Sequence, residues 1–202
     1  MAGSADIDFW LSMGSTYTYL AVMRVPNVEQ ETGVTFRWRP FSLGVLLREI
    51  KHTPFADKPV KAAYMWRDIE RRAGKYGIPV QVPAPYPAKN PLLANHVAIV
   101  GMQEGWGERF IRAAYRRWFQ LGQETGSDPN LTESLRDVGQ DPQRVLERAQ
   151  SDEIAQILEA ETNQARELGI FGGPNFVVGR ELFWGDDRLE DAVSWLRCGR
   201  VV

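Results

Sequence analysis

Strand signals occur only at the two ends of this chain, and that distribution limits its architecture more than any other feature. Residues 7–12 read Ile-Asp-Phe-Trp-Leu-Ser, apolar and aromatic enough for a strand. A turn over Met13, Gly14, Ser15 and Thr16 leads into a helix over residues 17–24, which Pro26 is expected to kink or restart. Gly33 closes the unit. Residues 34–39 then alternate strictly, with Val34, Phe36 and Trp38 on one face and Thr35, Arg37 and Arg39 on the other. Strand, helix, strand at this length is a βαβ unit, which requires a parallel pair. At the other end, residues 175–178 and 181–184 flank Gly179-Arg180, a two-residue turn of the Gly-first hairpin type. Asp187, with Glu190 three residues on, reads as the cap of a final helix whose Leu189, Ala192, Val193 and Leu196 share a face.

From Pro40 to about Leu168 the spacing is helical, with no convincing strand. Residues 61–76 form one helix, with Arg67, Arg71 and Lys75 on a solvated face. A Pro-rich loop over residues 79–91 precedes helices at 92–102 and 108–121, which the Gly105-Trp106-Gly107 break separates. A short helix starts at Thr132 and stops at Gly139. Asp141 caps the next, with Pro142 at its first position. Ser151, backed by Asp152 and Glu153, caps the last, whose Ile154, Ile157, Leu158, Ala165 and Leu168 make an apolar stripe. Neither end is large enough for a stable sheet alone. The economical architecture is one four-stranded sheet split in sequence: an α/β, thioredoxin-like βαβ–ββα domain (residues 1–41 and 169–202) with an inserted α-helical domain (residues 42–168).

Composition narrows the chemistry. The 202 residues are 44% hydrophobic and 25% charged, an ordinary globular balance. A net charge of −2 gives no general pull toward nucleic acid or anionic lipid. No apolar run approaches the roughly 18 residues of a membrane span, and the start lacks a basic, apolar leader. A soluble, cytoplasmic chain is expected. Its one cysteine, Cys198, excludes an internal disulfide, a CxxC pair and a cysteine metal cage, and is expected to be structural or idle. With only His52 and His96, no metal site is implied.

Two segments belong together. Ser15 stands where the first strand turns into the first helix, and helix N-termini favour anions. Phe171-Gly172-Gly173-Pro174 enters the third strand, a common setting for a cis peptide bond, and in this fold faces that helix start. Disulfide oxidoreductases of the fold carry CxxC there; this chain has Ser15-Thr16-Tyr17-Thr18, which holds no thiol. The anion must come from outside the chain, and the thiolate of glutathione is the natural candidate. Read without its neighbours, Ser15 is simply an N-cap.

The chain resembles the 2-hydroxychromene-2-carboxylate isomerase family and is similar to kappa-class glutathione transferases within the DsbA-like group. The resemblance rests on Asp8-Phe9-Trp10 and residues 15–21, on Lys61 with residues 64–68, on Gly77-Ile78-Pro79, on residues 169–174, and on Leu182-Phe183-Trp184-Gly185-Asp186-Asp187-Arg188. It implies that Ser15 hydrogen-bonds the glutathione sulfur and favours its thiolate. It implies that Gly173, before Pro174, pairs with the cysteinyl backbone, and that Asp186 and Asp187 hold the γ-glutamyl group. Lys61 falls near the glycine end, and His52 or Thr53 near a position often occupied by asparagine. Tyr17, Tyr64, Trp66 and Trp184 are candidates to line a pocket for a small aromatic substrate, although most of the 7 Trp belong to the core. A homodimer is implied. Thr16 and Thr18 depart from the family's usual proline and serine, and Thr16 with Gly14 implies a freer turn. The expected activity is a glutathione-dependent isomerisation of aromatic-degradation intermediates. Two alternatives are a kappa-like transferase or peroxidase acting on hydrophobic electrophiles, and a non-catalytic DsbA-like binding scaffold.

Overall fold

A computed structural model of the chain describes residues 6–52, 55 and 58–202. Its sheet has four strands, β1 (Ile7–Leu11), β2 (Phe36–Pro40), β3 (Asn175–Val178) and β4 (Glu181–Trp184), in the order β2-β1-β3-β4. β1 pairs parallel with β2 and antiparallel with β3, and β4 completes an antiparallel hairpin. The two chain ends therefore share one sheet, as their lengths require. Gly179 takes a φ of 62°, as the first residue of the hairpin turn must.

The register sets the two faces. Phe9 lies opposite both Trp38 and Phe176. Its ring meets Trp38 edge-on at 4.9 Å and stacks on Phe176 at 5.1 Å. This face is covered by α1 (Thr18–Thr32) and α9 (Leu189–Cys198), and its apolar cluster continues without a break into the helical block. The opposite face carries Trp10, which meets Phe41, Leu46 of α2 (Leu43–Glu49) and Ala165 of α8 (Asp152–Glu167) in a smaller cluster. Arg39 lies over the Trp10 ring at 4.2 Å while its guanidinium forks onto Glu161 at 2.8 Å, so a charged strand residue closes this layer.

The helical block contains α3 (Pro59–Lys75), α4 (Pro91–Glu104), α5 (Gly107–Leu121), α6 (Asn130–Asp137) and α7 (Pro142–Ala149) besides α2 and α8. Asp141 accepts from Gln143 N–H and Ser151 from Ile154 N–H, the two caps expected from sequence. Arg67, Arg71 and Lys75 are exposed, also as expected. The restart of α1 at Pro26 and the Asp187 cap of α9 are not seen. α1 runs on through Pro26 to Gly33; its buried Val22, Val25 and Val28 hold both halves to the core, which offsets the missing proline donor. α9 is not capped by Asp187: residues 186–188 form a 3-10 turn, and the α-helix begins at Leu189 with no side-chain cap.

The end of α4 is tied to α7 by charge. Arg144 forks onto Glu104 at 2.9 Å, Arg148 adds a bond at 2.6 Å, and the Trp106 indole donates at 2.8 Å. The Arg144 hydrogen bonds, with Trp106 and Arg148, push the Glu104 carboxyl down to about 2. A carboxyl lowered in the folded state stabilises it fully above the unfolded value, ~4.3, and loses that contribution as pH falls toward the folded value. The thermal midpoint of the wild type should therefore fall more steeply across that acid window than that of Glu104→Gln. Parallel Tm–pH curves would show that these contacts are too solvent-screened to matter.

Candidate active site

The turn between β1 and α1 is built from both parts of the chain. Ser15 N–H donates to Ser12 O at 2.9 Å, closing the turn locally. From the helical block, Asn95 of α4 accepts from Met13 N–H at 2.9 Å and donates to Ser12 Oγ at 3.3 Å. The Tyr115 hydroxyl of α5 lies 2.8 Å from Ser12 O and 3.0 Å from Ser15 O, its one proton shared between them. Tyr115 is fully buried, and burial raises its pKa well above the ordinary tyrosine range, so it remains a donor. A Cβ on Gly14 would lie 2.9 Å from Pro91 Cβ, so glycine is needed here for close approach. The Thr16 hydroxyl is buried against Met65 Sδ at 3.1 Å. The turn expected to be freer is thus held from three sides.

Ser15 is 8% exposed, and its Oγ donates to Gly173 O at 2.9 Å, joining residues 158 positions apart. It does not cap α1. The N-cap is Tyr17, which makes no side-chain cap bond, and the Ser15 hydroxyl is turned to the loop at Gly173. The Gly173–Pro174 bond is cis. A Cβ on Gly173 would sit 3.5 Å from both Ser15 Oγ and Leu43 Cδ2, filling the space between the loop and the serine. The N–H groups of Thr16 and Tyr17 find no acceptor among the described residues, and they lie at the start of a 15-residue helix. Ser15 therefore stands beside unpaired amide donors, a cis-proline loop and the positive end of a helix dipole.

A second set of polar groups adjoins it. Gly185 N–H donates to Pro174 O at 2.9 Å, which fastens the turn Asp186–Arg188 to the loop. Asp186 is 2% exposed; Arg72 places Nε at 3.1 Å and Nη2 at 2.6 Å from its Oδ2. Arg24 donates to the Asp186 carbonyl at 2.8 Å and pairs with Glu190. Burial raises the Asp186 pKa, with Arg72 and Arg24 acting against it. Burial opposes charge on Arg72, but the bond to Asp186 together with the charges of Asp186 and Asp187 outweighs it and raises its pKa. Asp187 is exposed and pairs with Arg188 at 3.2 Å. Tyr17 donates to Asp68 at 3.0 Å, and burial followed by the Asp68 charge raises its pKa strongly.

The structure thus brings Ser15, Gly173, Pro174 and Asp186 into one connected cluster, with Asp187 on its outer side. Trp184 packs edge-on against Phe171 at 4.8 Å and lies directly over Gly172, where a Cβ would strike its indole nitrogen. Trp66 lines a groove of about 620 Å³ with Phe55, Ala62, Gly122 and residues 83–87. Tyr64 and Lys61 line a separate hollow of about 510 Å³ with residues 58–60. Neither space is lined by Tyr17 or Trp184, so the four aromatic candidates do not share one cavity. Lys61 lies 5.3 Å from the Phe55 ring centre, and His52 is exposed beyond α2. Thr53 lies outside the described residues. Cys198 is exposed at the end of α9. Sequence reasoning missed Arg24, Asp68, Arg72, Asn95 and Tyr115. Arg24 alone carried a visible signal, a lone charge within Ala21-Val22-Met23-Arg24-Val25.

The sheet order and the cis-proline loop, facing a strand-to-helix turn that carries Ser15, define a thioredoxin-like domain. The chain belongs to the DSBA-like thioredoxin domain family, whose model matches residues 6–197. It is 29% identical over 192 residues to 2-hydroxychromene-2-carboxylate isomerase of Sphingobium xenophagum, covering 94% of this chain and 97% of that one. It is also 29% identical over 196 residues to glutathione S-transferase kappa 1 of Caenorhabditis elegans, covering 91% and 87%. A solved 2-hydroxychromene-2-carboxylate isomerase superposes with a TM-score of 0.84 at 24% identity, over 95% of this chain and 94% of that one. No helix among the described residues is long and apolar enough to cross a membrane.

Proposed function

We propose that the protein is a glutathione-dependent isomerase of 2-hydroxychromene-2-carboxylate-type intermediates from aromatic degradation. The observation that carries this reading is the Ser15 hydroxyl, 2.9 Å from Gly173 O of the cis-proline loop and beside the unpaired amides at the start of α1. The isomerase and kappa-transferase names of its relatives support it. The residues present fit glutathione. Gly173 lies against Ser15 with no side chain between them and offers the polar groups an added strand needs. Asp186 is already matched by Arg72, so the exposed Asp187 receives the γ-glutamyl ammonium. Lys61 and His52 serve the glycine end, and the Trp66 groove takes the aromatic part of the substrate.

Bound glutathione supplies a thiolate that adds reversibly to a conjugated enone and leaves once the intervening bond has turned. The protein's part is electrostatic. Ser15 turns its proton from Gly173 O to the sulfur, and the freed carbonyl accepts the cysteinyl N–H, so hydrogen bonds are exchanged and none is lost. The Thr16 and Tyr17 N–H groups add partial positive charge at the same point. Tyr115 and Asn95 hold the turn so that these donors need no reorganisation.

Incubation with 2-hydroxychromene-2-carboxylate tests this. Equilibration with the ring-opened pyruvate isomer should require glutathione and leave its concentration unchanged. A stable glutathione adduct without isomer would instead mark a transferase, and no measurable glutathione binding would mark a scaffold.

A further inference from the structure

Helix α3 touches the site along its length. Met65, Asp68, Arg72 and Tyr76 follow at three- and four-residue steps, so they share one face up to the helix end. Each meets a different part of the site. Met65 receives the Thr16 hydroxyl, Asp68 receives the Tyr17 hydroxyl, and Arg72 grips Asp186. The Tyr76 ring lies 3.7 Å from the Arg24 guanidinium, which itself holds the Asp186 carbonyl. α3 therefore braces both the turn at residues 15–17 and the turn at residues 186–188.

The turn at 186–188 has two kinds of anchor. Gly185 N–H fastens its start to Pro174 O, and the two arginines fasten Asp186. Arg24 reaches the carboxylate only at 3.9 Å and bonds the backbone, whereas Arg72 directs two N–H groups onto Oδ2. We infer that Arg72 is a positioning residue that sets selectivity for the γ-glutamyl end of the thiol. By holding Asp186 it holds the turn, and the turn places Asp187 to receive the ligand's ammonium group. This rests on the glutathione reading above and adds to it the residue that makes glutathione preferred over shorter thiols.

Calorimetric titration with glutathione and with cysteinylglycine, which lacks the γ-glutamyl group, tests it. Arg72→Gln should bind glutathione about tenfold more weakly than wild type and cysteinylglycine equally well, since only the former loses a charge-assisted contact. Arg72→Lys should recover part of the loss. In turnover, KM for glutathione should rise with kcat unchanged. Arg72→Gln leaves Asp186 buried with only the longer Arg24 contact; should that variant not fold, Arg72→Gln/Asp186→Asn removes both charges and should show the same selective loss. Equal weakening for both thiols, or none for either, overturns the inference. So does a wild type that binds cysteinylglycine as tightly as glutathione, a result that leaves the thiol chemistry standing. A wild type that binds neither thiol overturns the glutathione reading and the inference with it.

Discussion

Ser15→Ala lowers isomerase turnover at neutral pH by about 100-fold, the scale seen when one preorganised donor to a developing charge is deleted. The fold survives, because the lost hydroxyl leaves only the Gly173 carbonyl without a donor, a cost of roughly 1 kcal/mol. A free thiol titrates near ~8.5 and is mostly protonated at neutral pH. On the glutathione reading, a hydroxyl and the unpaired Thr16 and Tyr17 amides favour the bound thiolate, so its pKa should be lowered. The linkage fixes the pH dependence. Wild-type rate rises with pH through the lowered value and then levels, whereas the variant keeps rising to higher pH. The deficit of Ser15→Ala should therefore shrink as pH is raised beyond the free thiol's pKa. Ultraviolet thiolate absorbance of bound glutathione at fixed pH reads the same effect without turnover. Unchanged absorbance with unchanged turnover would remove Ser15 from the chemistry and restore a merely local role for it.

How far the sequence led can be judged element by element. β3 and β4 are legible to the residue because short apolar runs are bounded by turn-forming Gly179 and by Gly172-Gly173. α7 and α8 are legible at their starts because Asp141-Pro142 and Ser151 act within three residues of themselves. Asp187 shows where local rules end. The Asp187–Glu190 spacing is a sound capping pattern, but Asp186 is gripped by Arg72, 114 residues away, and its carbonyl by Arg24, 162 away. Those partners fix the backbone as a 3-10 turn before the α-helix starts. α2 escaped separate notice because only Leu46 of its seven residues is buried, which leaves little periodicity to read.

The site divides along the same line. Ser15, Gly173 and Pro174 carry visible sequence signals, a serine at a strand-to-helix turn and a proline entering a strand. The groups that hold them in place come from α3, α4 and α5 and touch the turn through single atoms. Nothing in the spacing of Asn95 or Tyr115 distinguishes them from other residues of amphipathic or apolar helices. Both point into the interior from helices whose other buried residues are mostly apolar.

Tyr115 makes that division measurable. In Tyr115→Phe the ring keeps its packing against Tyr19, Trp118 and Phe119, so no cavity opens and only the hydroxyl is lost. Ser12 O keeps the Ser15 N–H, but Ser15 O loses its donor inside the protein. A buried acceptor left unsatisfied costs about 1–3 kcal/mol, enough to lower Tm clearly and too little to unfold a domain of ordinary stability. The carbonyl that loses its donor belongs to Ser15, the residue proposed to hold the thiolate, so turnover should fall about tenfold as it drifts from the sulfur. The two losses separate in the Ser15→Ala background. There Tyr115→Phe should destabilise as before yet lower the residual turnover by much less than tenfold, because most of its effect on rate passes through the hydroxyl already removed and only the part carried by the Thr16 and Tyr17 amides is left. Rate losses that simply multiply in the double variant would mean that Tyr115 acts on the site by another route.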